Sequence, residues 1–256
     1  MSSYLVELEG IVCGGRPTGE TSLLITILTE NRGKLTVYAR GALRDHRRIG
    51  GALDTCSRSA WSLLPRGGGE DRIPLVDQAD LIDAHPSLRR DLGRLLRALF
   101  MIETVRLHYG GGGALYDHLA AGLAAVDRRP HTGRGFLWWF VSRLLELSGH
   151  APELARCVVC AKGETIVGLD PSAGGAICGA CAPGRARTMA LGPQGLRVLR
   201  GLASAGGVDP SATRDLSPKT SREIGSILRA WIEWPVGGDV PLPALDALQL
   251  LGSTSR

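Results

Sequence analysis

Two Cys-x-x-Cys pairs, Cys157–Cys160 and Cys178–Cys181, are separated by seventeen residues, and they limit the folds open to this chain more than any other feature. Each pair presents two thiolates from one tight turn. Two such knuckles at this distance have the spacing of a tetrahedral four-cysteine zinc site. The intervening ETIVGLDPSAGGAI can double back as a hairpin around DPSAGG and carry the second pair to the first. One Zn2+ held by four protein sulfurs has no open coordination position, so its expected role is structural. Metal binding of this kind contributes on the order of 10 kcal/mol to folding a module too small to bury its own core. A redox dithiol and a cysteine set that no longer binds metal are the competing readings. Cys13 and Cys56 have no partner spacing and read as small buried apolar residues.

The chain has 256 residues, enough for two or three modules, and its 44% hydrophobic and 21% charged content is that of a globular protein. The N-terminus MSSYLVELEG is acidic, and the most apolar run, FLWWFV, is broken by Ser142 and Arg143. Neither a signal peptide nor a membrane span is expected, which points to a cytoplasmic location without membrane partners. In a reducing compartment the six cysteines do not form a disulfide framework.

Residues 1–83 carry five strand patterns: YLVELEGIV, SLLITIL, GKLTVYAR, SAWSLL and IPLVDQADLI. TENRG between the second and third suits a hairpin with a left-handed Gly33. Five short strands in such a length suggest a small barrel of the five-stranded OB type. After Pro86 the period changes to that of helices, with Ser87 as the expected N-cap of a helix through His108, and helical patterns continue to about residue 152. The cysteine module occupies 153–188. Helical patterns resume over 189–256, with Ser217 as cap and Pro218 at the first helical position of one of them; beyond Pro235 the tail is expected to be irregular or weakly helical. The overall class is α+β: a barrel at 1–83, a helical domain in two parts (84–152 and 189–256), and a four-cysteine insert.

GGRPTGETSLL (14–24) is one residue away from a phosphate-binding G-x-x-x-x-G-K-[ST] loop. Glu20 stands where the loop needs its lysine, and the following SLLITIL reads as a strand where the loop requires a helix. A glycine-rich turn between strands is therefore the preferred reading. The six histidines form no H-E-x-x-H, and no G-x-S-x-G is present, so catalysis is not expected.

Net charge is +5, unevenly distributed: residues 32–58 hold seven basic residues against two acidic ones. Lys34, Arg40, Arg44, Arg47 and Arg48 lie along the third strand and the loop leaving it, with Tyr38 among them. On a strand, Tyr38 and Arg40 share one face while Leu35 and Val37 share the other. An aromatic platform flanked by cations suits a groove that tracks a nucleic-acid backbone while bases stack; a solvated loop with scattered charge is the alternative. Arg90, Arg94 and Arg97 fall at i, i+4 and i+7 of the expected helix, a stripe suited to an anionic partner or simply a charged face.

The phrases EGIV at 9–12, GETSLLITILTENRGKLTVYARGALR at 19–44, the glycines at 50 and 51, and the paired C-x-x-C resemble the RecO family of bacterial recombination mediators. The resemblance implies an N-terminal OB-fold, a helical domain completed after the zinc insert, and no enzymatic activity. It further implies a nucleoid-associated mediator that binds single- and double-stranded DNA and anneals complementary strands. Its implied partners are the acidic C-terminal tail of single-stranded-DNA-binding protein, RecR and RecF, with loading of RecA as the outcome. Arg40, Arg44, Arg47 and Arg48 match the family's basic run after the third strand, and Arg90, Arg94 and Arg97 are a loose candidate for the acidic-tail site. WPVGGDVPLPALDALQLL departs from the helical ending of the family. A zinc-ribbon adaptor that recognises acidic peptide tails without a direct DNA role is the second reading.

Overall fold

The computed structural model describes residues 5–44, 50–65, 73–108, 112–129, 133–163, 165–204, 216–238 and 240–254. Five strands, β1 (Val6–Thr18), β2 (Ser22–Thr29), β3 (Gly33–Ala39), β4 (Arg58–Leu64) and β5 (Leu75–Asp83), close into a barrel in the order β1-β2-β3-β5-β4. Neighbours are antiparallel except β3 and β5, which run parallel and meet at Tyr38 and Leu75. This is the expected OB barrel. Its interior is built by alternation, interrupted by bulges in β1 and β5: Val12, Ile25, Ile27, Val37, Ala39, Trp61, Leu63, Val76 and Ala79 face inward and are buried. The Trp61 indole N–H donates to Gly10 O at 3.3 Å, so the largest core side chain carries no unsatisfied donor.

The glycines at 14 and 15 belong to β1 and not to a turn, which corrects the sequence expectation. The strand runs on to Thr18, and only Gly19–Thr21 turns the chain into β2. Cys13 is an extra residue between the Val12–Ile27 and Gly14–Thr26 pairs, a β-bulge, and Gly14 takes φ 137°, a backbone state that disfavours side chains. Gly33 closes the β2–β3 hairpin at φ 63°, as expected, with Thr29 Oγ1 donating to its carbonyl at 2.8 Å. Since β2, and not a helix, follows Glu20, the segment is no phosphate loop.

Six helices are present among the described residues: α1 (Leu92–Leu107), α2 (Gly112–Arg128), α3 (Arg134–Leu147), α4 (Pro193–Ser204), α5 (Pro218–Glu233) and α6 (Pro243–Thr254). None is long and apolar enough to cross a membrane. The chain divides into two compact units: residues 1–106, 110–130 and 242–256, and residues 107–109 and 131–241. The barrel thus gathers α1, α2 and α6. Tyr116 of α2 donates to Glu9 Oε2 at 3.2 Å, and Glu103 of α1 accepts the Ala244 N–H at the start of α6 at 3.2 and 3.3 Å. That helix, twelve residues long, gives definite form to the tail beyond Pro235 that was expected to be irregular or weakly helical. The Ala244 N–H is satisfied by a carboxylate more than a hundred residues away in the chain, a cap no local pattern reveals. The second unit packs α3, α4 and α5 around Phe140, Leu144, Leu199, Ile224, Ile227 and Trp231. Ser217 caps α5 as expected, its Oγ accepting the Thr220 N–H at 3.1 Å with Pro218 following.

The helix expected to start at Ser87 is broken. Leu88–Arg90 forms a short 3-10 turn, Asp91 is extended (φ −138°, ψ 114°), and α1 begins at Leu92. Asp91 Oδ1 accepts the Arg94 N–H at 2.8 Å and is the true N-cap, while the Ser87 side chain caps nothing. Asp91→Ala should lower unfolding free energy by about 1 kcal/mol, and Ser87→Ala should leave it within about 0.5 kcal/mol, as read by urea denaturation.

Candidate nucleic-acid interface and metal centre

The outward rows of the barrel follow from strand register. Ile11, Leu28 and Lys34 form one row across β1, β2 and β3; beyond the bulge come Gly14, Thr26 and Thr36, then Arg16, Leu24 and Tyr38. The first row is covered. Ile11 and Leu28 are fully buried although they point away from the barrel interior, and α2 packs against these three strands. Lys34 is part of that cover, since its ammonium donates to the α1 carbonyls of Arg106 at 2.8 Å and Val105 at 3.4 Å. Burial lowers the Lys34 pKa, with neighbouring Arg106 adding to the effect. The geometry is that of a lysine capping a helix C-terminus, a contact of about 0.3–1 kcal/mol. Lys34 is thereby withdrawn from the expected basic platform.

The last row is open. Arg16 is exposed, and Leu24 and Tyr38 are half-buried beside it. The Tyr38 hydroxyl donates to Ser22 Oγ at 3.0 Å, and the same oxygen accepts the Gly41 N–H at 3.2 Å, which fixes both the ring and the turn leaving β3. Gly41 takes φ 68°, Arg44 N–H closes onto Gly41 O at 2.9 Å, and Leu43 N–H donates to Thr21 O at 2.9 Å. Arg40 and Arg44 are exposed at the two ends of this anchored turn. Among the described residues no carboxylate pairs with Arg16, Arg40 or Arg44. Arg47 and Arg48 lie outside the described residues. The structure thus brings Tyr38, Arg40 and Arg44 together, removes Lys34 and adds Arg16. The signal for Arg16 was present in the hairpin: counting back from Gly19–Thr21 places Thr18 opposite Ser22 and Arg16 opposite Leu24.

The arginine stripe is not assembled. Arg90 sits on the 3-10 turn and is separated from α1 by extended Asp91. The Arg94 guanidinium donates to Asp127 O at 2.5 Å, and Arg97 is half-buried, its pKa lowered by burial against the attraction of Asp91. Two of the three cations are therefore engaged within the fold.

Cys157, Cys160, Cys178 and Cys181 converge with all four sulfurs within 4.8 Å of one another, and Cys160 and Cys178 Sγ are 3.8 Å apart. A tetrahedron with metal–sulfur bonds of about 2.3 Å has edges of about 3.8 Å. The expected hairpin delivers the second pair: β6 (Ile166–Asp170) returns through Pro171–Gly174 into β7 (Gly175–Cys178), with β8 (Met189–Ala190) on the other side of β6. Asp170 organises the turn by accepting from Ser172 N–H at 2.9 Å, and Arg185 pairs with it at 3.4 Å; burial opposes its ionisation, but these donors hold its pKa low. Each knuckle closes on its own backbone, through Ala161 N–H to Cys157 O at 2.9 Å and Ala182 N–H to Cys178 O at 3.0 Å.

The thiols differ electrostatically. Burial opposes ionisation of Cys157, but the backbone amides of Cys160, Cys178 and Val159 outweigh it and bring the pKa down to about 6. The Cys178 thiol, with burial behind it, pushes Cys181 up to about 12. One sulfur ionises readily and another resists, so only a bound cation lets all four act as thiolates. Cys13 and Cys56 are a separate case: each is buried in the barrel unit, and burial raises each pKa to about 12.

The family model for Recombination protein O N terminal matches residues 1–85, and that for Recombination protein O C terminal matches residues 89–244. The chain belongs to the RecO family. DNA repair protein RecO of Anaeromyxobacter dehalogenans (strain 2CP-C) is 33% identical over 237 residues, covering 91% of this chain and 92% of that protein. DNA repair protein RecO of Rhodopirellula baltica is 29% identical over 224 residues, covering 82% of each chain. That of Thermoanaerobacter sp. (strain X514) is 31% identical over 180 residues, covering 69% of this chain and 71% of that protein.

Two measurements check these sites. A Cβ at Gly175 would stand 2.4 Å from Glu153 O, so Gly175→Ala should displace the hairpin and weaken metal binding by at least about tenfold in a chromophoric-chelator competition. In native protein at pH 8, about four pH units below their pKa of about 12, Cys13 and Cys56 should resist iodoacetamide, and unfolding should release both for labelling.

Proposed function

We propose that this RecO-family chain is a non-enzymatic, DNA-binding recombination mediator that anneals complementary strands and helps load RecA onto single-stranded DNA coated with its binding protein. The observation carrying this reading is the open end of the β1–β2–β3 face, where exposed Arg16, Arg40 and Arg44 surround half-buried Leu24 and Tyr38 with no carboxylate partner among the described residues. Guanidinium groups there neutralise phosphates and release counterions, while the ring and the leucine offer a base a flat apolar seat. Two polyanionic strands brought together in this way keep their base edges free to pair, and no bond is made or broken. The names of the relatives, DNA repair protein RecO, agree with this reading. Arg47 and Arg48 extend the same basic run. RecR, RecF and the acidic tail of single-stranded-DNA-binding protein are the proposed protein partners, in the cytoplasm at the nucleoid, with the tail bound elsewhere than along Arg90, Arg94 and Arg97. Zn2+ is the proposed ion of the four-cysteine centre, where it supplies cohesion to the β6–β7 module.

If Arg16, Arg40, Arg44, Arg47 and Arg48 each neutralise one phosphate, log K for single-stranded DNA falls with log salt at a slope of about −3.5. Fluorescence anisotropy should show this slope, and the triple change of Arg16, Arg40 and Arg44 to Ala should reduce its magnitude by about 2. An unchanged slope rules out the barrel platform. Elemental analysis should find one zinc per chain, and chelation should lower the thermal midpoint; zinc-free protein with an unaltered midpoint rejects the metal assignment.

A further inference from the structure

Trp234 stands apart from the other tryptophans of the chain. Trp61, Trp138 and Trp231 are 1%, 9% and 4% exposed and Trp139 is half-buried, whereas Trp234 is 43% exposed. It begins a 3-10 turn, Trp234–Val236, at the end of α5, and Pro235 and Val236 beside it are exposed as well. The turn is firmly held: Trp234 N–H donates to Ala230 O, Gly237 N–H donates to Trp234 O at 3.2 Å, and Gly238 N–H donates to Glu233 O at 3.3 Å, with Gly237 left-handed at φ 89°. The ring is fixed from the other side by Arg187, whose guanidinium carbon lies 4.8 Å above the ring centroid.

The charges adjoining these two residues in sequence cancel in pairs. Glu233 is bound by Arg229 at 2.8 Å, and Arg185 is bound to buried Asp170 at 3.4 Å. Among the described residues Arg187 pairs with no carboxylate, so the guanidinium over this ring is unneutralised by any of them. A rigid exposed indole beside an unneutralised guanidinium has the chemistry of a base-stacking seat with a phosphate contact, and a duplex, whose bases are already stacked, cannot use it.

We infer that Trp234 and Arg187 form a second nucleic-acid contact, on the unit that does not contain the barrel, selective for single strands. The inference rests on the reading of this chain as a DNA-binding protein. It goes beyond that reading by giving the chain two separate seats, so that one strand can be engaged twice or two strands at once.

The test is anisotropy of a labelled oligothymidylate and of a blunt duplex with full-length wild type, Trp234→Ala, Trp234→Phe and Arg187→Ala. Since one stacked base is worth at least about a fivefold change in affinity, Trp234→Ala should weaken oligothymidylate binding by that factor and leave the duplex within about twofold. Trp234→Phe should retain most of the single-strand affinity, and the quenching of intrinsic fluorescence by oligothymidylate should fall in that variant. Equal oligothymidylate affinity for wild type and Trp234→Ala overturns the inference. So does equal loss for duplex and single strand, or quenching of Trp234 by an acidic peptide alone. Wild type that binds no DNA sinks the mediator reading itself, whereas binding abolished by the Arg16, Arg40 and Arg44 changes but untouched at Trp234 sinks only the second seat.

Discussion

The extra residue at Cys13 decides which way the cationic end of β1 points. Before it, Val12 faces into the barrel opposite Ile27; after it, Gly15 takes the inward place opposite Ile25 and Arg16 turns outward opposite Leu24. With an unbroken alternation Arg16 would point into the core, where an unpaired guanidinium costs several kcal/mol. The bulge therefore joins two demands on one strand: a buried apolar outer row at Ile11, which the helices cover, and an open cationic row at Arg16. Barrel closure locks the result. A one-residue slip of β2 or β3 would expose Ile25, Ile27 or Val37, each worth about 1.5–3 kcal/mol when buried, so the platform geometry is as stable as the core beneath it.

The same face shows why charge density alone does not define an interface. Lys34 and Arg40 lie on one outward face of β3 and its exit, yet they do different work. At Lys34 the C-terminal carbonyls of α1 approach, and a flexible ammonium satisfies them better than water does in a half-buried setting. At Arg40 and Arg44 no element among the described residues covers the strand, and the turn is pinned by Ser22 and Thr21 through hydrogen bonds to backbone, with no carboxylate among the described residues on either guanidinium. The arginines near residue 90 repeat the lesson, because α2 supplies the Asp127 carbonyl that holds Arg94.

Much of this was legible in the residues. Period-two alternation located all five strands and the Val37/Tyr38 division of faces, the turn residues located Gly33, and the cysteine spacing together with DPSAGG described the β6–β7 hairpin that joins the sulfurs. What escaped was set by distant partners. Glycines at 14 and 15 read as a turn because a bulge is defined only by the strand opposite it. Ser87 fits the local rule for a cap, but Asp91 takes that role by accepting the Arg94 N–H, while Ser87 N–H is drawn to Asp127 Oδ1 at 2.7 Å, a partner forty residues away. The helix at Pro243–Thr254 forms where Glu103 accepts the Ala244 N–H, and the barrel gathers two further helices through contacts such as Tyr116 to Glu9 that no periodicity encodes.

The cysteine centre and the basic platform answer different physical problems, and the difference bears on what each can do. Four sulfurs at tetrahedral spacing fill the coordination shell of a metal, so the centre can hold a ligand-bearing ion only by losing a protein thiolate. Its surroundings reinforce closure: Gly168 and Gly175 let backbone from Met189 and Glu153 approach to distances that a Cβ would forbid, packing the hairpin against the chain on both sides. A centre whose four coordination positions are filled by protein sulfurs suits a structural role, and in the proposed function recognition falls to surfaces with unpaired charge and exposed rings. Under the proposed function those surfaces are the Arg16, Leu24 and Tyr38 row on one unit and the Trp234–Arg187 pair on the other, each offering a cation and an aromatic ring to unstacked nucleic acid.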